Sequence, residues 1–158
     1  MTAVIRRIFP LLLLLAFLAP VLRAQREKLP EEDLEFVEKN FPNAKKTNTG
    51  IRYIIQTEGN GEPAHEGDLV KLLYVGRLLD GTVFDQNNDR VHPFSFRVGR
   101  AQVIEGWDQI MQLMKPGERR IVIIPPELAY GMRGFAPRIP RNATLVFLIE
   151  LLDIQREE

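Results

Sequence analysis

The chain has 158 residues, with 21 basic and 21 acidic side chains, two histidines and no cysteine. Without cysteine it has no disulfide framework, no thiolate metal site and no lipid attachment through sulfur. A balanced charge also lacks the basic excess of nucleic-acid binders, so nucleic acid is not expected as a partner.

Arg6 and Arg7 precede an apolar run from Ile8 to Ala19, and Leu22-Arg23-Ala24 follows. A positive start, an apolar middle and a small residue at the cut form a secretory signal peptide. Pro10 and Pro20 punctuate the segment, which falls short of the ~18 apolar residues of a spanning helix. Residues 1–24 are therefore expected to be cleaved, with no stable membrane insertion afterwards. Cleavage removes Arg6, Arg7 and Arg23 and no acid, leaving 18 basic against 21 acidic residues, a net charge of −3. Export to a bacterial periplasm is the expected destination, with a eukaryotic secretory route or a retained signal anchor as alternatives.

Residues 25–49 read as a linker with a short helix, and residues 50–158 as one domain. Pro30-Glu31-Glu32-Asp33 places proline and acids in a first helical turn, where both are favoured. Leu34, Val37 and Phe41 continue at helical spacing and Pro42 stops the element. So short a helix is marginal alone and is expected to dock on its own domain. Ile51 to Thr57 alternates and reads as a strand. Asp68 to Leu79 is a longer strand, closed at Asp80-Gly81, a strong hairpin signal, with Thr82-Val83-Phe84 as the return. Gln86 to Pro93 is polar loop and Phe94 to Val98 another strand. Ile104, Trp107, Ile110 or Met111, and Met114 recur every three or four residues, which predicts a helix ended by Lys115-Pro116-Gly117. Arg119 to Ile124 is a strand stopped by Pro125-Pro126, Gly131 to Pro140 a long loop, and Ala143 to Ile154 the last strand. Antiparallel strands with one amphipathic helix predict an α+β fold, the sheet curved around the helix.

Nucleophiles are scarce. Ser95, the single serine, sits in the strand-like Phe94-Ser95-Phe96, and His65 and His92 have no second ligand at metal spacing. Neither covalent nor metal catalysis is expected, and no cofactor. Trp107, the only tryptophan, opens the helix after Val103-Ile104-Glu105-Gly106. Backbone N–H groups there lack intrahelical partners, and apolar walls with a few fixed donors are what a small-ligand or peptide site requires.

Six strings then come in order: Tyr74-Val75-Gly76-Arg77-Leu78-Leu79-Asp80-Gly81, Phe84-Asp85, Pro93-Phe94-Ser95-Phe96, Val103-Ile104-Glu105-Gly106-Trp107, Pro126-Glu127-Leu128-Ala129-Tyr130-Gly131 and Asn142-Ala143-Thr144-Leu145-Val146-Phe147. From about Gly50 to Ile154 the chain resembles the FKBP-type peptidyl-prolyl cis-trans isomerases, the macrolide-binding immunophilins. The resemblance implies a five- or six-stranded antiparallel sheet wrapped around one short α-helix. It implies a pocket lined by Tyr74, Phe84, Phe94, Val103, Ile104, Trp107, Tyr130, Ile139 and Phe147. Trp107 would be the floor, Ile104 would offer its N–H to a ligand carbonyl, Asp85 would reach in, and Tyr130 would present its hydroxyl. Arg90 matches the position that braces the aspartate.

The implied activity is acceleration of Xaa-Pro isomerisation in exported proteins, without cofactor or metal, with macrolides of the FK506/rapamycin type as inhibitors. A proline-peptide-binding module or folding chaperone without needed turnover is the alternative. Departures from the family pattern sit at the rim: Phe135 in place of histidine, Arg138 in place of isoleucine, and Gln102 in place of glutamate. Arg138 is expected to favour acidic residues near the proline.

Overall fold

The computed structural model describes residues 27–156, so the signal-peptide reading of residues 1–24 lies outside the described residues. In chain order the elements are α1 (Glu31–Asn40), β1 (Lys45–Lys46), β2 (Arg52–Thr57), β3 (Leu69–Leu78), β4 (Val83–Asn87), β5 (Phe94–Arg97), α2 (Glu105–Met111), β6 (Arg119–Ile124) and β7 (Leu145–Gln155). Among the described residues the strands form one sheet, ordered β1-β2-β6-β7-β3-β4, with β5 also on β3. Every pairing is antiparallel. The expected α+β architecture is the observed one; the added seventh strand is the two-residue β1.

β3 is the organising strand. One edge pairs along its whole length with β7. The other edge takes β4 opposite Tyr74–Arg77 and β5 opposite Leu69–Leu72. β4 and β5 are thus one edge strand interrupted by residues 88–93. The strand runs on to Asn87, one residue past the start of the expected loop, and the Asn87 side chain donates to the His92 carbonyl across its neck (3.1 Å). At the hairpin, Gly81 has φ +88 and Thr82 N–H donates to Asp80 Oδ1 (2.8 Å), so the side chain of Asp80 closes the turn.

Strand alternation sorts the core into two faces. Val70, Leu72 and Tyr74 of β3, Val122 and Ile124 of β6, and Leu145, Phe147, Ile149 and Leu151 of β7 pack with Trp107, Ile110 and Met111 of α2. Gly106 allows this approach: a Cβ there would lie 2.6 Å from Ile124 Cγ2. The opposite face carries Ile123 and Val146, and these are covered by Val37, Leu34 and Phe41 of α1 with Leu29. Each helix therefore seals one face of the sheet.

Residues 27–49 pack onto this body. The Glu27 carboxylate accepts from Arg52 Nη1 and Nη2 (3.1 and 3.0 Å) and from Lys46 Nζ (2.8 Å). Burial raises its pKa, but the Arg52 guanidinium and the Leu29, Lys46 and Lys28 donors outweigh this and hold it at about 2. Thr144 Oγ1 donates to Asp33 in the first turn of α1 (2.5 Å). Sequence spacing shows a helix here but not its partner face, because the contacts lie about a hundred residues away.

Val37 has no exposed surface. Val37→Ala is expected to cost ~2 kcal/mol of stability by leaving a cavity under α1. A fall in the urea midpoint with an unchanged slope would show it, whereas an unchanged midpoint would mean that α1 does not contribute to the fold.

Candidate active site

Between α2 and the sheet lies a cavity of about 190 Å³, lined by Tyr74, Phe84, Asp85, Phe94, Gln102, Val103, Ile104, Trp107, Tyr130 and Phe147. β3, β4 and β5 supply one side, β7 supplies Phe147, and the β5–α2 connection supplies Gln102 to Ile104. Trp107 is the floor. It meets Tyr74, Phe94 and Phe147 edge-on at centroid distances of 4.9, 5.7 and 5.2 Å, with Phe96 tilted against it at 5.9 Å. Its Nε1 is buried and meets no acceptor among the described residues, so ring packing alone fixes the indole. Gly76 lets the β4 wall close: a Cβ there would sit 2.7 Å from Phe84 Cζ and 2.8 Å from Phe147 Cε1.

Ile104 caps α2 in an extended conformation (φ −61, ψ 148), and its carbonyl accepts from Trp107 N–H (2.9 Å). No backbone carbonyl among the described residues accepts from the Ile104 N–H, which leaves it free for a ligand. Asp108, one turn into α2, accepts from Gly99 N–H (2.8 Å) and Ala101 N–H (3.3 Å). Both donors have left-handed backbones (φ +73 and +51), and the clasp fixes the connection that carries Gln102, Val103 and Ile104.

The polar groups of the wall form a small set. Tyr74 donates its hydroxyl to Asp85 Oδ2 (2.7 Å), and Gln86 N–H donates to Oδ1 (2.9 Å). Burial, then the hydrogen bond to Asp85, pushes the Tyr74 pKa far above its ordinary value. Burial and the nearby Asp85 charge raise that of Tyr130 as well. Both tyrosines therefore stay protonated donors at neutral pH. Among the described residues no group of three or more metal-ligating side chains converges anywhere.

Residues 60–152 match the family model described as FKBP-type peptidyl-prolyl cis-trans isomerase. The chain belongs to this family. It is 42% identical over 109 residues to the FK506-binding protein 1A of Aspergillus fumigatus, covering 68% of this chain and 97% of that one. It is 50% identical over 93 residues to the human peptidyl-prolyl cis-trans isomerase FKBP2, covering 59% of this chain and 66% of that one. Among solved structures, a peptidyl-prolyl cis-trans isomerase of Pseudomonas syringae pv. tomato superposes with a TM-score of 0.70 at 35% identity, over 79% of this chain and 92% of that one. FkpA of Escherichia coli gives a TM-score of 0.70 at 39% identity, over 79% of this chain and 59% of that one.

Against the FKBP pattern, ten residues singled out from the sequence meet at the cavity and four do not. Ile139 is 4% exposed and packs in the same core cluster as Tyr74 and Trp107, with its backbone bridged to Phe135. Arg90 does not brace Asp85; its Nη2 donates to Glu150 Oε1 on β7 (2.6 Å), and Tyr74 supplies the brace instead. Phe135 stands outside the cavity with its ring 5.5 Å from that of Tyr130, and Arg138 is exposed beside it. Phe96 and Asp108 had no place in the sequence-derived site. The first was legible in Phe94-Ser95-Phe96, whose two rings must share a strand face.

Raised tyrosine pKa values give stability a direction with pH. Below the ordinary tyrosine value of 10.0 folded and unfolded chains are both protonated and nothing is lost. Above it the unfolded chain ionises first, so stability falls as pH rises. Between about pH 9.5 and 11, the urea midpoint of Tyr74→Phe is expected to fall less steeply than that of the wild type. Equal slopes would remove Tyr74 from this account.

Proposed function

We propose that the cavity seats a proline ring and accelerates rotation about the preceding amide, in proteins exported from the cell. The observation that carries this reading is a wall of aromatic rings and aliphatic side chains with few polar groups: Asp85 with the Tyr74 hydroxyl on it, the Tyr130 hydroxyl, the Gln102 amide and the free Ile104 N–H.

The chemistry asked of such a site is narrow. Resonance gives the C–N bond double-bond character and a rotational barrier of ~18–20 kcal/mol. Before proline the two isomers lie within about 1 kcal/mol, so the difficulty is rate and not equilibrium. A catalyst must bind the twisted amide better than either planar form. Twisting uncouples the nitrogen lone pair from the carbonyl and lowers the dipole. Transfer from water into the ring-lined cavity therefore penalises the planar forms more than the twisted one.

Trp107 supplies the surface on which the ring lies. Ile104 N–H holds the carbonyl of the adjacent peptide unit and fixes one side of the rotating bond. Asp85, already holding the Tyr74 and Gln86 donors, and Tyr130 face the twisting amide. No bond is made or broken, which fits a wall without a nucleophile. Macrolides of the FK506/rapamycin type would occupy the same seat.

Support for exported clients comes from Arg6, Arg7 and the apolar run after them. Isomerisation before proline takes ~10–100 s unassisted, slow enough to limit the folding of a newly exported chain.

The test is a protease-coupled assay of an Ala-Pro peptide with residues 25–158, with and without rapamycin. Turnover above background, its loss with the macrolide and a kcat/KM about tenfold lower in Asp85→Ala (~1.4 kcal/mol) are expected. Saturable peptide binding without turnover would instead establish the binding-module reading and overturn catalysis.

A further inference from the structure

We propose that the exposed arginines of the loop over residues 131–141 make it a shelf that favours acidic side chains flanking the bound proline. This inference rests on the prolyl reading of the cavity and adds a substrate class to it.

The first observation is charge. Between Glu127 and Glu150 the sequence holds no acidic residue, and Arg133, Arg138 and Arg141 all fall in that stretch. All three are exposed, and none has an ion-pair or hydrogen-bonding side-chain partner among the described residues. Other cations of the chain do find partners: Lys28 pairs with Glu127, Lys46 with Glu27 and Arg90 with Glu150. Unpaired cations clustered on one loop set up a local positive potential that the whole chain, of zero formal charge, does not.

The second observation is the apolar surface between them. Met132 is 72% exposed and Phe135 56%. Phe135 is not an isolated surface ring, because it lies against Tyr130, which is itself part of the cavity wall. The apolar surface thus runs from the proline seat across Tyr130 to Phe135, on the loop that carries the arginines.

The third observation is that the shelf is built. Asn142 N–H donates to the Gly131 carbonyl (2.8 Å), closing the loop at its base. Phe135 and Ile139 exchange both backbone hydrogen bonds (2.8 and 2.9 Å), and Arg138 N–H also donates to the Phe135 carbonyl (3.1 Å). Ile139 anchors the loop in the core, and a Cβ on Gly134 would come within 2.7 Å of the Ile139 and Pro140 carbonyl oxygens. Such a loop presents its side chains with little left to order on binding, which is what makes weak exposed contacts count. Asp85, the carboxylate of the cavity, already accepts from Tyr74 and Gln86, and an acid on the shelf would stand beyond Tyr130 from it.

The test compares three peptide sets around one Ala-Pro core, with glutamate, lysine or glutamine at the flanking positions, by exchange NMR with residues 25–158. In the wild type the glutamate set is expected to exceed the lysine set in kcat/KM by about threefold, the scale of an exposed ion pair. The ratio should approach one as ionic strength rises from about 0.01 to about 1 M, because the screening length falls from ~30 to ~3 Å. Arg133→Glu/Arg138→Glu should invert it, and Arg133→Lys/Arg138→Lys should keep it. Lys39→Glu, exposed in the last turn of α1, should not move it. A wild-type ratio near one, or a ratio that Lys39→Glu shifts as much as the arginine reversal, overturns the shelf while the prolyl reading stands. No turnover of any set overturns the prolyl reading and the shelf with it.

Discussion

The site depends on how Trp107 is held. Four aromatic rings from β3, β5 and β7 meet the indole, three of them edge-on. Each such contact is worth ~0.5–1.5 kcal/mol beyond the area it buries. A seven-residue helix has too few internal hydrogen bonds to persist alone. α2 exists where it does because Trp107, Ile110 and Met111 bury their side chains against the sheet and Gly106 lets the backbone follow. Once that helix is placed, the extended backbone at Ile104 and its free N–H come with it.

From this constraint follows a division of labour. The floor is a packing device, rigid because its rings lock one another. The polar edge is spare: two tyrosines kept protonated, one carboxylate already engaged, one backbone donor. In the proposed reading, such an edge orients an amide while the rings exclude water. On that reading, reaction and recognition fall to different parts of the chain, the cavity taking the proline and the loop beyond Tyr130 meeting whatever flanks it.

Much of this was legible because periodicity and burial agree. β6 occupies Arg119–Ile124, the span its β-branched residues and the prolines after it predict. The hairpin follows from Asp80-Gly81, and α2 from the spacing of Trp107, Ile110 and Met111. β1 was not legible: Lys45-Lys46 has no apolar signature and is a strand only through its backbone pairing with β2. Whether Ile139 faces in or out of its Gly- and Pro-rich loop is not written in composition; its burial goes with the local bridge to Phe135. The partner of Arg90 is not legible for a related reason. A long exposed side chain takes the nearest carboxylate in space, here Glu150, sixty residues away along the chain.

Trp107 is the only tryptophan in the chain, so its fluorescence reports the cavity without a label. The most direct measurement of the central claim is a titration of residues 25–158 with an Ala-Pro peptide, following that emission together with the Ile104 amide resonance. A proline seat on Trp107 predicts that both signals change in step and saturate at one concentration, and that rapamycin abolishes both changes. Peptide binding that leaves the indole emission and the Ile104 amide unmoved would contradict the account.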